Sequence, residues 1–353
     1  MFHSSKKLLY SLLFSLVFLS QWAEAHTPKI VGLMQVRNEE MFIEQCLRAL
    51  SLYVDAIVVL EDASEDHTLE ILQQLRKELP IERIIIHDQS SWQVRDERYN
   101  RQALLDAGRA IEGTHFIMID ADEMFTAECA TNNWLRNKIL ALEPGQIMTF
   151  PMMHVWNSVD LYRDDKKCHP LMPRWSVNSV LCDDGVCNYN ENRSGVTGIV
   201  HVSRCPQNRV CSAENSTIAI QDINRGMIHF KCANTDNIVV KRVWYMCLEF
   251  IRACAAAKDP IDSAKIINKC YDGHIYNGMF PTMEEMILKE VPKGWYKGYA
   301  FFDKKAFTAF NQYRKDEVLL WFDTYGLDFF KLLNIWDVDW VVEYKNGQVN
   351  EKI

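Results

Sequence analysis

Apolar and polar positions along the first half of the chain switch between two spacings. The stretches KIVGLMQVR (29–37), DAIVVLED (55–62), ERIIIHD (82–88) and THFIMIDADEMF (114–125) are short, apolar and rich in β-branched residues, which predicts four strands. Between them the apolar positions recur at helical intervals. Phe42, Cys46, Leu47 and Leu50 make one stripe. Leu69, Leu72, Leu75 and Leu79 make a second, with Asp66 as N-cap and Pro80 as the stop. A charged helix is predicted from about Val94 to Gly108, and NNWLRNKILAL predicts another. QIMTFPMMHVW reads as a strand that Pro151 makes irregular or sends toward an edge.

Strands alternating with helices at this spacing predict a wound, mostly parallel α/β sheet. Ligands of such sheets bind outside the carboxyl ends of the strands. Three polar clusters fall there: Arg37-Asn38-Glu39, Glu61-Asp62 and Asp120-Asp122-Glu123. Residues 156–226 read as long loops rich in cysteine, GMIHFKC (226–232) as a further strand containing His229, and the chain from about Asn237 onward as helical. The expected division is a segment 1–25 removed on export, an α/β domain over 26–232, and a helical extension over 233–353 packed on that domain.

The export segment follows from Lys6 and Lys7, the apolar run LLYSLLFSLVFL, and an A-x-A pattern at Ala23 and Ala25. About a dozen apolar residues are short for a span, which needs roughly 20. A single-pass anchor is the alternative, and no other segment is long and apolar enough to cross a bilayer. The expected location is therefore secreted, periplasmic or in the lumen of the secretory pathway. All 11 cysteines follow this segment, and six lie between Cys168 and Cys232 (Cys168, Cys182, Cys187, Cys205, Cys211 and Cys232). In an exported chain they are expected to staple loops as disulfides, with a zinc site as the alternative. Cys247 and Cys254, seven apart in a helical pattern, read as core. Sequons at Asn192 and Asn215 fall in the same loops. The 353 residues are 48% hydrophobic and 24% charged, an ordinary globular composition, and the net charge of −8 argues against a nucleic-acid partner.

The acidic strand end needs a reason, because neighbouring carboxylates repel and resist burial. On an extended segment, side chains two apart share a face, so Asp120 and Asp122 could grip one hard divalent cation. By itself D-x-D is a weak signal, since short acidic runs commonly face water.

With its neighbours the pattern is stronger. VRNEE after the first strand, VVLEDASEDHT at the second, YNRQALLDAGR before the fourth and IDADE at its end resemble the family 2-like glycosyltransferases of GT-A fold; MIHFK and VVKRVWY resemble a later His element of some members. The resemblance implies a GT-A-type α/β fold and metal-dependent glycosyl transfer, with inversion, from a nucleotide-sugar to a hydroxyl of a glycan, protein or lipid. Mn²⁺ or Mg²⁺ would be the cofactor. Carried over by position, Arg37, Asp62, Arg101 and Asp120 would hold the nucleotide, with Asp62 on the base edge. Asp120, Asp122 and His229 would hold the metal, and Glu123 would stand behind them or toward the acceptor.

Each has a plainer reading: Asp62 a turn residue, Arg101 a solvated charge, His229 a core histidine. The acidic base motif is not legible. Asp164, Asp165, Asp183, Asp184, Glu191 and Asp222 lie where the acceptor side could form, and Asp184 and Asp222 are the two candidates for catalytic base, each otherwise a loop residue. Arg174-Trp175 could be a sugar platform or simply buried. An exported, noncatalytic carbohydrate- or nucleotide-binding protein of the same fold is the competing function. A nucleotidyltransferase would want a Gly-rich loop that MQVRNEE lacks, and no G-x-S-x-G or H-E-x-x-H is present.

Overall fold

A computed structural model of the chain describes residues 27–87, 97–164, 175–189, 204–206, 217–274 and 286–350. The export segment, Asp165, Cys168, Arg174, Glu191, Cys211 and both sequons lie outside the described residues. The first half alternates as its periodicity predicts: β1 (Ile30–Val36), α1 (Ile43–Leu50), β2 (Ala56–Glu61), α2 (Thr68–Leu75), β3 (Ile81–Ile86), α3 (Glu97–Ala110) and β4 (His115–Asp120). These four strands are parallel, in the order β3-β2-β1-β4. Both faces of β1 and β2 are covered, which is why they read as continuous apolar runs. Ile30, Met34, Ile57 and Val59 enter a core shared with α1 and α2. Their alternates Val31, Leu33, Val58 and Leu60 enter a second core against α3.

Beyond β4 the sheet is mixed. The chain continues through β5 (Glu123–Phe125), α4 (Trp134–Leu140), β6 (Ile147–His154), β7 (Leu161–Arg163), β8 (Trp175–Cys182), β9 (Thr217–Ala219) and β10 (Met227–His229). The order runs on as β4-β8-β6-β10-β5, with β9 also on β6; β8 is antiparallel to both its neighbours. The helical part holds α5 (Thr235–Ala255), α6 (Pro260–Asn268), α7 (Lys304–Phe307), α8 (Gln312–Tyr325) and α9 (Asp339–Asn350), and β11 (Leu288–Glu290) pairs with β7. Helices α5, α6 and α8 build a third core of their own. Together these make a mixed α/β sheet, a loop region and a helical C-terminal part.

Four expectations change. The predicted fourth strand is two strands, because the chain turns at Ala121-Asp122 and β5 leaves β4 to pair with β10. Pro151 is not on an edge: β6 is interior, and the proline falls where β9 stops pairing (Thr149) and β10 starts (Met152). Asp66 does cap the first turn of α2, accepting from the Thr68 amide at 2.9 Å, but from one residue before the cap position, which His67 holds.

The fourth change concerns the cysteines. All nine described are free thiols, including Cys182, Cys187, Cys205 and Cys232, and all but Cys254 are buried. They pack as small apolar groups rather than as loop staples; the Cys205 sulfur lies 3.8 Å from that of Met118.

Candidate functional site

Parallel register brings the polar strand ends to one rim: Val36 sits beside Glu61, and Gln35 beside Asp120. Just past β1 and β2 the backbone turns left-handed at Asn38 (φ 51°) and Ala63 (φ 58°), a conformation costly for alanine. Arg37 secures this turn. Its Nη1 donates to the Asp62 carbonyl at 2.8 Å and to the Ala63 carbonyl, and its Nη2 donates to Glu317 of α8 at 2.7 Å. Asp62 stands in the wall of the cavity that opens here. Its Oδ1 is 2.9 Å from His87 Nδ1, and its Oδ2 accepts from Asn100 of α3 at 3.2 Å.

The cavity has a volume of about 190 Å³, below the roughly 300–1,000 Å³ usual for small-molecule sites. Side chains from the C-terminal helices fill part of the space. Lys241, Trp244 and Tyr245 of α5 and Arg314 and Glu317 of α8 complete its wall. Arg314 Nη2 donates to Glu39 at 2.5 Å, so sheet rim and α8 exchange an arginine and a glutamate in each direction. Four buried polar atoms of the wall have no hydrogen-bond partner among the described residues: Gln35 Oε1, Asn38 Nδ2, Glu39 Oε2 and Arg101 Nη1. Buried polar groups are rarely left so, which marks this as a surface shaped for a polar ligand.

The turn at Ala121 separates Asp120 from Asp122. Asp120 is held between two arginines, accepting from Arg101 Nη2 at 2.8 Å and Arg204 Nη2 at 3.0 Å. Arg101 is buried and also donates to Glu97, so it is no solvated surface charge. Asp122 faces elsewhere: its Oδ2 is 3.4 Å from His229 Nε2 and 3.4 Å from Lys241 Nζ. The third member of this group is Glu123 rather than Asp120. The pairing of β5 with β10 sets Glu123 opposite His229, and ligand atoms of Asp122, Glu123 and His229 all lie within 4.8 Å of one another. Burial works to raise the Asp122 carboxyl, but Lys241 and His229 outweigh it and hold it well below the usual range. Burial raises Glu123 above its usual value even against Arg204. The two adjacent carboxylates are thus driven apart in acidity.

Asp184 and Asp222 are not brought to the cavity. Asp184 Oδ1 accepts from the Val186 and Cys187 amides in a turn, and Asp222 accepts from the Asn224 amide at the start of a short 3₁₀ turn. Neighbouring Asp183 is engaged by two nitrogens of Arg109. The residues missed from sequence are Arg204, Lys241, Arg314 and Glu317. Lys241 lay inside the VVKRVWY segment without being singled out, though its helical phase was a signal: Lys241, Trp244, Tyr245 and Leu248 recur at intervals that share one face of α5, and all four reach the cavity.

One segment of the chain matches a known family. Residues 33–132 match the family model described as glycosyl transferase family 2. No curated protein matches the chain. Among solved structures, a segment of S. aureus TarS in complex with UDP-GlcNAc is 14% identical, covering 72% of this chain and 73% of that chain at a TM-score of 0.38. This chain spans 44% of the length of a longer TarS chain. A mannosyltransferase from Pyrobaculum calidifontis in complex with GDP-Man and Mn²⁺ is 12% identical over 93% of this chain and 95% of that one, at a TM-score of 0.32. Glucosyl-3-phosphoglycerate synthase from Mycobacterium tuberculosis with Mn²⁺ and UDP-glucose is 23% identical over 36% of this chain and 44% of that one, at 0.26. The matched segment 33–132 carries the parallel half of the sheet and, with Asp62, Arg101, Asp120 and Asp122, most of the polar rim, and this segment is similar to glycosyl transferase family 2.

Proposed function

We propose that the chain transfers a sugar from a nucleotide-sugar to a hydroxyl of a glycan, protein or lipid, with inversion, in the cavity at the sheet rim. Asp122, Glu123 and His229 would hold a divalent cation, Mn²⁺ or Mg²⁺. Two carboxylates and an imidazole with converging ligand atoms fit such an ion, Mn²⁺ especially. When bound, the cation supplies positive charge against the donor diphosphate. The chain's own groups do the rest. Arg101 fixes Asp120 at the end of β4, Arg37 holds the turn that carries Asp62, and the unpartnered atoms of Gln35, Asn38, Glu39 and Arg101 offer donors and acceptors to the nucleotide. The base is assigned to neither Asp184 nor Asp222, since both are spent in turns off the cavity.

The observation that carries this reading is the convergence of Asp122, Glu123 and His229 beside a rim with unspent hydrogen-bonding atoms. Calorimetric titration with uridine and guanosine diphosphates, with and without Mn²⁺, tests it. Metal-dependent binding of one of them, lost in Asp122→Ala, is expected. Binding indifferent to both metal and substitution would overturn it. Export is part of the proposal on the strength of residues 1–25 alone. Among the described residues no helix is long and apolar enough to cross a membrane.

A further inference from the structure

Lys241 stands apart from three of the arginines that line the cavity with it. Arg37, Arg101 and Arg314 are each anchored by close hydrogen bonds to the walls: Arg37 to Glu317, Arg101 to Glu97 and Asp120, Arg314 to Glu39. Lys241 has a single loose contact, from Nζ to Asp122 Oδ2 at 3.4 Å. That oxygen is the one that faces His229 Nε2, also at 3.4 Å. The ammonium therefore leans on the Asp122 carboxylate that the proposed divalent cation would share. An ammonium and a divalent cation drawn to one buried carboxylate repel each other strongly.

The lysine can leave. Its side chain is a flexible four-carbon stem bearing a compact charge. Its backbone is fixed in α5, whose cavity face is set by Trp244 and Leu248. Lys241 is also held more loosely than Arg37, Arg101 or Arg314, so of these four cations it is the one freest to shift.

We infer that Lys241 is an exchangeable counter-cation: it neutralises Asp122 before the donor arrives, then yields that carboxylate to the divalent ion and moves onto the phosphate oxygens of the nucleotide. This rests on the function proposed above and adds to it a residue and an order of charges. The exchange makes metal and nucleotide bind with positive coupling, because nucleotide phosphate draws away the ion's competitor. Coupling between sites is reciprocal, and commonly worth roughly 5–150-fold.

The test has two arms with opposite expected signs. Mn²⁺ alone, titrated by loss of its free-ion electron paramagnetic resonance signal, should bind Lys241→Met about 5-fold or more tighter than wild type, because a competitor is gone. Uridine or guanosine diphosphate, whichever wild type binds, titrated calorimetrically at saturating Mn²⁺, should bind Lys241→Met about 5-fold or more weaker, because a phosphate contact is gone. Methionine keeps the stem's bulk and helix propensity. Should it fail to fold, Lys241→Gln reads the same two quantities, and Lys241→Arg should stay nearer wild type in both. In an Asp122→Asn background the Mn²⁺ difference between Lys241 and its Met substitution should vanish. Metal and nucleotide affinity weakening together, or neither changing, would overturn the exchange. Wild type that binds no diphosphate at all would overturn the parent reading first, a distinguishable failure.

Discussion

Glu123 is fully buried, and Arg204 meets both its oxygens while also holding Asp120. A buried carboxylate stripped of its cation costs roughly 3–5 kcal/mol. Arg204→Met is therefore expected to lower the unfolding free energy by about that amount, and pairing it with Glu123→Gln should recover most of the loss. A double-mutant cycle in urea checks both; a near-zero coupling would show that the pair does not act as a unit. Arg204 also shows where residue-level reading ended. Asp122 and His229 were legible because each sits at a strand end, in a pattern with a chemical reason. Arg204 is one arginine in a loop, and nothing local says that it folds back across the end of β4. The same holds for Arg314 and Glu317, which reach Glu39 and Arg37 over a sequence separation of 275 and 280 residues.

At the scale of elements, α3 lies so close to the sheet that its glycine is required. A Cβ on Gly108 would come within 2.6 Å of the Phe116 ring and 3.1 Å of Leu33, both fully packed. Helix propensity favours Gly→Ala by about 1 kcal/mol, whereas overpacking a rigid core costs roughly 1–3 kcal/mol. Gly108→Ala should thus lower the melting temperature. Gly347, exposed on α9, is its control, because a methyl group there would meet no other atom within 4 Å: Gly347→Ala should raise it. Equal signs at the two positions would refute the close-approach argument. The elements themselves were largely legible, since strands buried on both faces and helices with one apolar stripe are the two patterns that periodicity separates best. The break between β4 and β5 was not. Ala121-Asp122 carries no glycine, proline or asparagine to announce a turn, and the apolar residues after it look like more strand.

For the molecule as a whole, the helical C-terminal part is not an accessory. Trp295, Tyr299 and Phe307, each at most 5% exposed, lie in the same core as β1 and β4. The Tyr299 hydroxyl donates to the Phe125 carbonyl, and Phe307 stacks on Phe42 at 5.5 Å. Three aromatic side chains burying roughly 150–250 Å² each are worth on the order of 10 kcal/mol, comparable with the entire stability of a typical domain. A chain ending at residue 232 is expected to melt without a cooperative transition and to bind a hydrophobic dye. Sharp two-state melting of that fragment would contradict it.

The free thiols have a consequence of a different order. They are distributed over all three cores: Cys46 and Cys129 in the first, Cys247 and Cys270 in that of the helices, Cys187 and Cys205 beneath α3. An alkylating reagent reaches a buried sulfur only during the moments when its surroundings open. The chain thus carries its own set of clocks, one in each layer, and the order in which they are struck would rank how often each part of the molecule breathes.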